Sequence, residues 1–226
     1  MRRSLVLIAS LLVACGGRSA PAAASFASAD GTGSAAPSPS PTAPPNALVV
    51  KVTNEGSTAS VRVREQLAVN QGQSDALLKG IHLLSGSMAL LPDGSFWPGA
   101  SVKIELTRLQ SDVPLRDKWL ELFGPQFGRF PTARFTPSKA VGLPVPLPAS
   151  GDWTFAVIGD LTIRDVTKPV RLDATLHRAA TDLRATATTS FTWADFAIPK
   201  PLNIPQVASV EDDIRIEIAF AATAGP

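Results

Sequence analysis

The alternation of apolar and polar residues across positions 158–177 constrains the fold more than any other feature of this chain. The apolar positions are Leu161, Ile163, Val170, Leu172, Ala174 and Leu176. Because successive side chains of a strand point to opposite faces, this spacing predicts two strands, each with one buried face and one wet face. A tight polar turn joins them, and Pro169 falls at the start of the second strand, where its missing N–H is tolerated.

The same two-residue period recurs at intervals along the sequence that follows residue 60. It is found in residues 61–64, 102–107, 153–163, 183–193 and 214–220. Gly, Pro, Asp and Asn separate these segments, and no long segment has a helical period. Many short strands between such turn residues are typical of an antiparallel sandwich or barrel.

One short segment has helical rather than strand spacing. Within residues 117–123, Trp119, Leu120, Leu122 and Phe123 cluster on one helical face, and Gly124-Pro125 ends the segment. So short a helix needs tertiary packing to persist. We therefore expect it to cover one mouth of the barrel.

The first residues have the pattern of a targeting segment. Arg2 and Arg3 precede an apolar run over residues 5–13, which is too short to span a bilayer. The run ends in Leu-Val-Ala-Cys-Gly, which resembles the lipobox of bacterial lipoproteins. The resemblance implies a signal peptide over residues 1–14, cleavage before Cys15, and acyl chains on Cys15 that anchor an extracytoplasmic protein to a membrane.

Residues 15–46 after the lipobox are rich in Ala, Ser, Gly and Pro and have almost no charge. This composition cannot form a core, so we interpret it as a tether. Residues 47–226 then form one domain of ordinary size. Removal of Arg2 and Arg3 takes the formal charge from +2 to 0, and no basic patch with interleaved aromatics suggests nucleic-acid binding.

Four segments in order resemble the signatures of the YceI-like family of lipid-binding β-barrels. They are residues 111–135 with Arg-Asp and Phe-Pro elements, residues 158–172 with Thr-Lys-Pro, residues 191–198, and residues 210–220. Asp165 and Ala197 stand where the family often has Gly. The resemblance implies an all-β, antiparallel, eight-stranded lipocalin-like barrel with one short helix capping the mouth. It also implies a long-chain ligand inside the barrel: a polyisoprenoid, a quinone-like lipid or a fatty acyl lipid.

The candidate ligand-binding residues are apolar positions in the inward phase or in the family motifs. They are Trp153, Phe155, Leu161, Ile163, Phe191, Trp193, Phe123, Phe130 and Phe135. Arg116 is a candidate contact for a lipid head group, with an ordinary ion pair beside the helix as the alternative. Small inward positions at Ala174, Ala185, Ala187 and Gly159 face these aromatics, which is compatible with a tunnel or with a solid core.

Catalysis is not indicated. The chain has two histidines, His82 and His177, no tyrosine, and no cysteine besides Cys15, so no His/Cys metal cluster, catalytic residue or cofactor is predicted. Together with this lack of catalytic signals, the resemblance to the YceI-like family implies a protein that carries, stores or sequesters a lipid. The alternative is an envelope interaction module with a solid barrel, whose loops at residues 91–98 and 141–148 bind protein or glycan.

Overall fold

A computed structural model describes residues 43–204 and 206–225. The predicted signal peptide, Cys15 and most of the predicted tether lie outside these residues. The strands are β1 (Leu48–Val52), β2 (Thr58–Leu67), β3 (Gln73–Ile81), β4 (Leu84–Leu90), β5 (Ser101–Glu105), β6 (Gln110–Ser111), β7 (Thr132–Val141), β8 (Ser150–Ile163), β9 (Val166–Ala179), β10 (Asp182–Thr192) and β11 (Val207–Gly225). The α-helix is α1 (Pro114–Leu122), and 3₁₀ turns cover Leu106–Arg108 and Trp193–Phe196.

Eight of the strands close into an antiparallel barrel, which confirms the predicted fold class. The ring runs β1-β4-β5-β7-β8-β9-β10-β11 and returns to β1. The closing pair joins Val49 to Gly225 and Val52 to Ala222. A closed ring leaves no free edge among these eight strands.

The long strand β11 has two partners on one edge and thereby defines the two ends of the barrel. Its first part pairs with β2 and its last residues pair with β1, while β10 covers the opposite edge. We call the end that carries the β4–β5, β7–β8 and β9–β10 connections the mouth end. The other end, which carries the β2–β3, β8–β9 and β10–β11 connections, is the plug end.

The hairpin predicted from the alternation at residues 158–177 is the longest in the barrel. β8 and β9 pair from Ser150↔Ala179 down to Ile163↔Val166, so Arg164 and Asp165 alone form the turn. Arg164 has φ +57°, as a two-residue hairpin with the twist of the flanking strands requires. Next to a bulge in β7, the β7 backbone approaches Gly159 of β8 so closely that a Cβ atom there would lie 2.5 Å from the Thr136 carbonyl oxygen.

The predicted short helix is confirmed, although it begins earlier than its spacing indicated. α1 begins at Pro114, because proline is favoured in the first turn, where its missing N–H has no partner to lose. Asp117 therefore lies inside the helix, and its Oδ1 accepts the Ser111 N–H at 2.8 Å. α1 covers the plug end. No helix among the described residues has the length and apolarity to cross a bilayer.

Candidate functional site: an apolar cavity

A trough of small side chains runs across the inner face of the barrel. Register aligns Phe155, Ala174, Ala187 and Ile218 in one row across β8, β9, β10 and β11. The next row towards the mouth end is Trp153, Leu176, Ala185 and Phe220. Alanines between larger neighbours leave space that the flanking side chains do not fill, because side chains in sheets stand perpendicular to the strand.

This space is a cavity of about 180 Å³ with an apolar wall. Its lining residues come from nine of the strands and three connections, and only Thr186 and Thr189 among them have polar side chains. They are Leu48, Val50, Ala59, Val61, Leu84, Met88, Leu90, Phe96, Val102, Ile104, Leu106, Leu109, Ala133, Phe135, Leu143, Leu147, Phe155, Val157, Leu161, Ile163, Val170, Leu172, Ala174, Leu176, Leu183, Ala185, Thr186, Ala187, Thr189, Ile216, Ile218 and Phe220. A charged group inside it would lose its hydration without a partner, so the wall selects apolar ligands.

The cavity has room for only a few carbon atoms in this structure. An apolar protein cavity of about 150 Å³ holds one benzene molecule, which corresponds to about 25 Å³ per carbon atom. A volume of 180 Å³ thus accommodates about seven carbon atoms on the same scale. A longer tail requires the cavity to enlarge.

The plug end is packed solid by aromatic side chains. Phe191 and Phe196 meet edge to face with ring centroids 4.6 Å apart, and Trp119 of α1 meets Trp193 in the same way at 6.2 Å. The Trp193 indole N–H donates to the Glu211 carbonyl oxygen at 3.0 Å, which satisfies its polar atom. No passage for a ligand is therefore expected at this end.

A capping box holds the turn that carries Trp193. The backbone N–H and the hydroxyl of Thr192 both donate to Asp195 Oδ2, at 2.7 and 2.8 Å. These hydrogen bonds, the backbone one first, lower the pKa of Asp195 below its ordinary value of 3.8. The strand predicted to continue through Trp193 ends at Thr192 because this cap begins a 3₁₀ turn there.

Leucines of the β7–β8 connection close the mouth end. Leu143 and Leu147 line the cavity from this loop, and Phe96 lines it from the β4–β5 connection. Arg178 holds the loop through a hydrogen bond from Nη1 to the Leu147 carbonyl oxygen at 3.0 Å. The sequence signal for these residues was the alternation of apolar residues with proline at 143–148, which strand reasoning did not use.

The sequence-predicted ligand residues fall into three groups. Phe135, Phe155, Leu161 and Ile163 line the cavity. Phe191 and Trp193 are buried in the plug, and Trp153 packs beside the cavity at the mouth end. Phe123 and Phe130 do not line the cavity: Phe123 is 64% exposed, and Phe130 lies under the guanidinium groups of Arg129 and Arg164. The prediction for these two phenylalanines was based on the sequence motif that includes α1, and neither residue occupies an inward-facing strand position.

Arg116 lies at the plug end and forms ion pairs. Its guanidinium approaches Glu65 Oε2 at 3.5 Å and Asp112 Oδ1 at 3.0 Å. The Glu65 side chain is only 8% exposed. This position matches the ion-pair alternative, and Arg116 is not part of the cavity wall.

The polar side chains of the described residues form no obvious catalytic group. His177 Nδ1 lies 2.8 Å from Asp152 Oδ1 on the outer face of the barrel, away from the cavity. The Ser95 hydroxyl and amide lower the pKa of Asp93, and Lys103 lowers the pKa of Glu105. Over residues 43–204 and 206–225, no three His, Cys, Asp or Glu side chains are arranged to hold a metal ion.

Comparison with known proteins places this architecture in a family. Residues 48–222 match the family model of the YceI-like domain. A polyisoprenoid binding domain from Saccharophagus degradans, implicated in plant cell wall breakdown, superposes with a TM-score of 0.57 at 13% identity, over 79% of this chain and 98% of that one. BcnA of Burkholderia cenocepacia superposes with a TM-score of 0.56 at 17% identity, over 76% and 99%. At these identities the likeness concerns the fold. No curated protein sequence matches the chain significantly.

Proposed function

Since this chain belongs to the YceI-like family, we propose that it binds the tail of a long-chain lipid in the barrel and carries or sequesters that lipid. The observation that carries the proposal is the cavity wall, which has no charged side chain among its lining residues. The ligand class is a polyisoprenoid, a quinone-like lipid or a fatty acyl lipid. The polyisoprenoid-binding description of the Saccharophagus degradans neighbour supports the first of these.

Apolar burial supplies the driving force, and its magnitude indicates a long tail. Burial of about seven carbon atoms contributes roughly 5–6 kcal/mol at about 0.8 kcal/mol per methylene. The loss of translational and rotational freedom offsets at least about 4 kcal/mol of this. A tail that only fills the present cavity would therefore bind in the millimolar range or weaker, whereas each further buried methylene strengthens binding about fourfold.

We further propose that the protein is an extracytoplasmic lipoprotein anchored through acylated Cys15. The support is the lipobox-like sequence at residues 12–16 and the nearly uncharged segment that follows it. An anchor would keep a lipid carrier close to the membrane that supplies its ligand. The solid-barrel interaction module is less well supported, because the interior is solid only at the plug end.

Mass spectrometry of the isolated domain tests the ligand. Residues 46–226 are expressed without signal or tether, purified without detergent, and measured under native and denaturing conditions. We expect one stoichiometric mass that is lost on denaturation and is extractable into organic solvent. A bare polypeptide mass that stays unchanged after incubation with polyprenols, quinones and fatty acids would contradict the proposal.

A further inference from the structure

The β7–β8 connection is an exposed segment without a single charge. Residues 142–149, which connect β7 to β8, consist of Gly, Leu, Pro, Val and Ala only. Within it, Leu143, Val145 and Leu147 are half-buried against the barrel, while the intervening prolines 144, 146 and 148 are exposed. Contiguous exposed apolar surface is a feature of sites that contact a protein or a membrane.

The same segment is the part of the cavity wall that can move with least loss. Its three prolines have no N–H, so they donate no backbone hydrogen bond. Its described contacts with the end of β9 and the β9–β10 connection include Arg178 Nη1 to the Leu147 carbonyl oxygen at 3.0 Å and Ala180 N–H to the Ala149 carbonyl oxygen at 2.8 Å. Apart from Phe96 in the β4–β5 connection and Leu106 and Leu109 in the β5–β6 connection, the other lining residues belong to strands paired on both edges. The plug end is packed by aromatic rings. Enlargement of the cavity for a long tail therefore falls to Leu143 and Leu147.

The chain enters the barrel beside this segment. Residues 45–48, which lead into β1, line a shallow groove of about 280 Å³ together with Val145, Pro146 and Leu147. Only 32 residues separate Cys15 from Leu48, which limits the distance between them to about 105 Å at full extension. If Cys15 is acylated, as the proposed function requires, the mouth end is the end of the barrel that is tied to the membrane.

We propose that residues 141–149 form a portal that rests on the lipid bilayer, through which the ligand passes from the bilayer into the cavity between Leu143 and Leu147. Transfer across this contact keeps the tail out of water, where each exposed methylene costs about 0.8 kcal/mol. The plug end also exposes apolar side chains, among them Leu115 and Leu202, but this end is packed by the aromatic pairs Phe191–Phe196 and Trp119–Trp193. The inference rests on the proposed lipid binding and adds the route of uptake.

The test compares uptake from vesicles with uptake from solution in the full-length protein. The probe is cis-parinaric acid, whose fluorescence reports an apolar environment. It is delivered either within vesicles of phosphatidylethanolamine and phosphatidylglycerol or by dilution from ethanol. The portal variant combines Val141→Glu, at the last residue of β7, with Pro148→Glu in the loop, and both positions are exposed. The matched control combines Leu115→Glu with Leu202→Glu, which adds the same charge at the plug end.

We expect the portal variant to take up the probe from vesicles at least about tenfold more slowly, because two charges must approach the bilayer. Its occupancy after delivery from solution stays at the level of the unsubstituted protein, and the control matches that protein in both assays. Equal vesicle uptake by both variants, or slower uptake by the control alone, overturns the portal. Loss of occupancy from solution in the portal variant also overturns it, since Val141 and Pro148 would then be needed for binding itself and not for transfer from the bilayer. If the unsubstituted protein takes up no probe by either route, the proposed lipid binding itself is wrong.

Discussion

Substitution of Ala187 by leucine should move stability and ligand affinity in opposite directions. Ala187 lies in the trough between Ala174 and Ile218 and lines the cavity. Leucine adds three carbon atoms, which occupy about 75 Å³ at about 25 Å³ per carbon atom. Their burial contributes about 2.4 kcal/mol, and the lost side-chain freedom offsets about 0.5–1 kcal/mol. The empty protein should gain about 1.5–2 kcal/mol, or about 3–8 °C in melting temperature for a domain of this size.

The volume that the leucine side chain fills is no longer available to the ligand, so ligand affinity decreases. Three fewer methylenes in the cavity weaken binding by about 2.4 kcal/mol, which is about 50-fold in Kd. Titration with cis-parinaric acid measures the affinity, and calorimetry of the lipid-free protein measures the melting temperature. Thr188→Leu is the matched control, because residue 188 points to the outer face and is exposed; it should leave the affinity unchanged. A lower melting temperature with unchanged affinity for Ala187→Leu would refute the reasoning, since overpacking destabilises a filled core by about 1–3 kcal/mol.

Three further outcomes follow from the ion pairs, the capping box and the lipobox. Arg116→Ala should lower the free energy of unfolding in urea by about 1–3 kcal/mol, since the buried Glu65 carboxylate loses its partner; Arg62→Ala, which breaks an exposed pair, should change it by less than about 1 kcal/mol, and similar losses would contradict this. Because the folded state lowers the pKa of Asp195 below 3.8, the contribution of its carboxylate to stability is present above that pH and is lost as the pH falls through the folded pKa. Asp195→Asn should therefore flatten the decline of the melting temperature at acid pH. An unchanged profile would contradict a stabilising role of the capping box. Cys15→Ala should abolish incorporation of labelled palmitate and release the protein from membranes, whereas labelling that persists would exclude Cys15 as the anchor.

The strand alternation predicted the barrel because sheet pairing obeys a local rule. The two-residue period of the β8–β9 hairpin can be read from any short stretch of its own sequence. The register follows once the turn at Arg164 is placed. The cavity follows from the same rule, since Ala174 and Ala187 share a row only when the register is known. Sequence-based prediction therefore found the small and large inward positions but not the place where they meet.

The two ends of the barrel were harder to predict, since they depend on how loops pack in three dimensions. Trp193 continues the alternation of β10, so a strand position was predicted for it. The capping box at Thr192 instead begins a 3₁₀ turn that places Trp193 among the aromatic side chains of the plug end. The Thr-x-x-Asp spacing was the sequence signal for this cap. Phe123 and Phe130 belong to family motifs, but they lie on the surface around α1 and Arg164. Leu143 and Leu147 sit in a loop without regular structure, where periodicity carries no assignment of inside or outside.

Because β11 pairs with three other strands, those strands cannot be completed until β11 has formed. Thr53 and Ala221, which are bonded where β1 meets β11, are 168 residues apart in the chain, and β2 pairs with the same strand over a similar separation. Until β11 is available, β1, β2 and β10 each have an unpaired edge, which is a template for association between chains. Contacts of such sequence separation slow folding because loop closure precedes any gain from pairing. The strand edges of the nascent chain therefore stay open to aggregation until β11 has been synthesised, and this interval is the time during which chaperones would protect the chain.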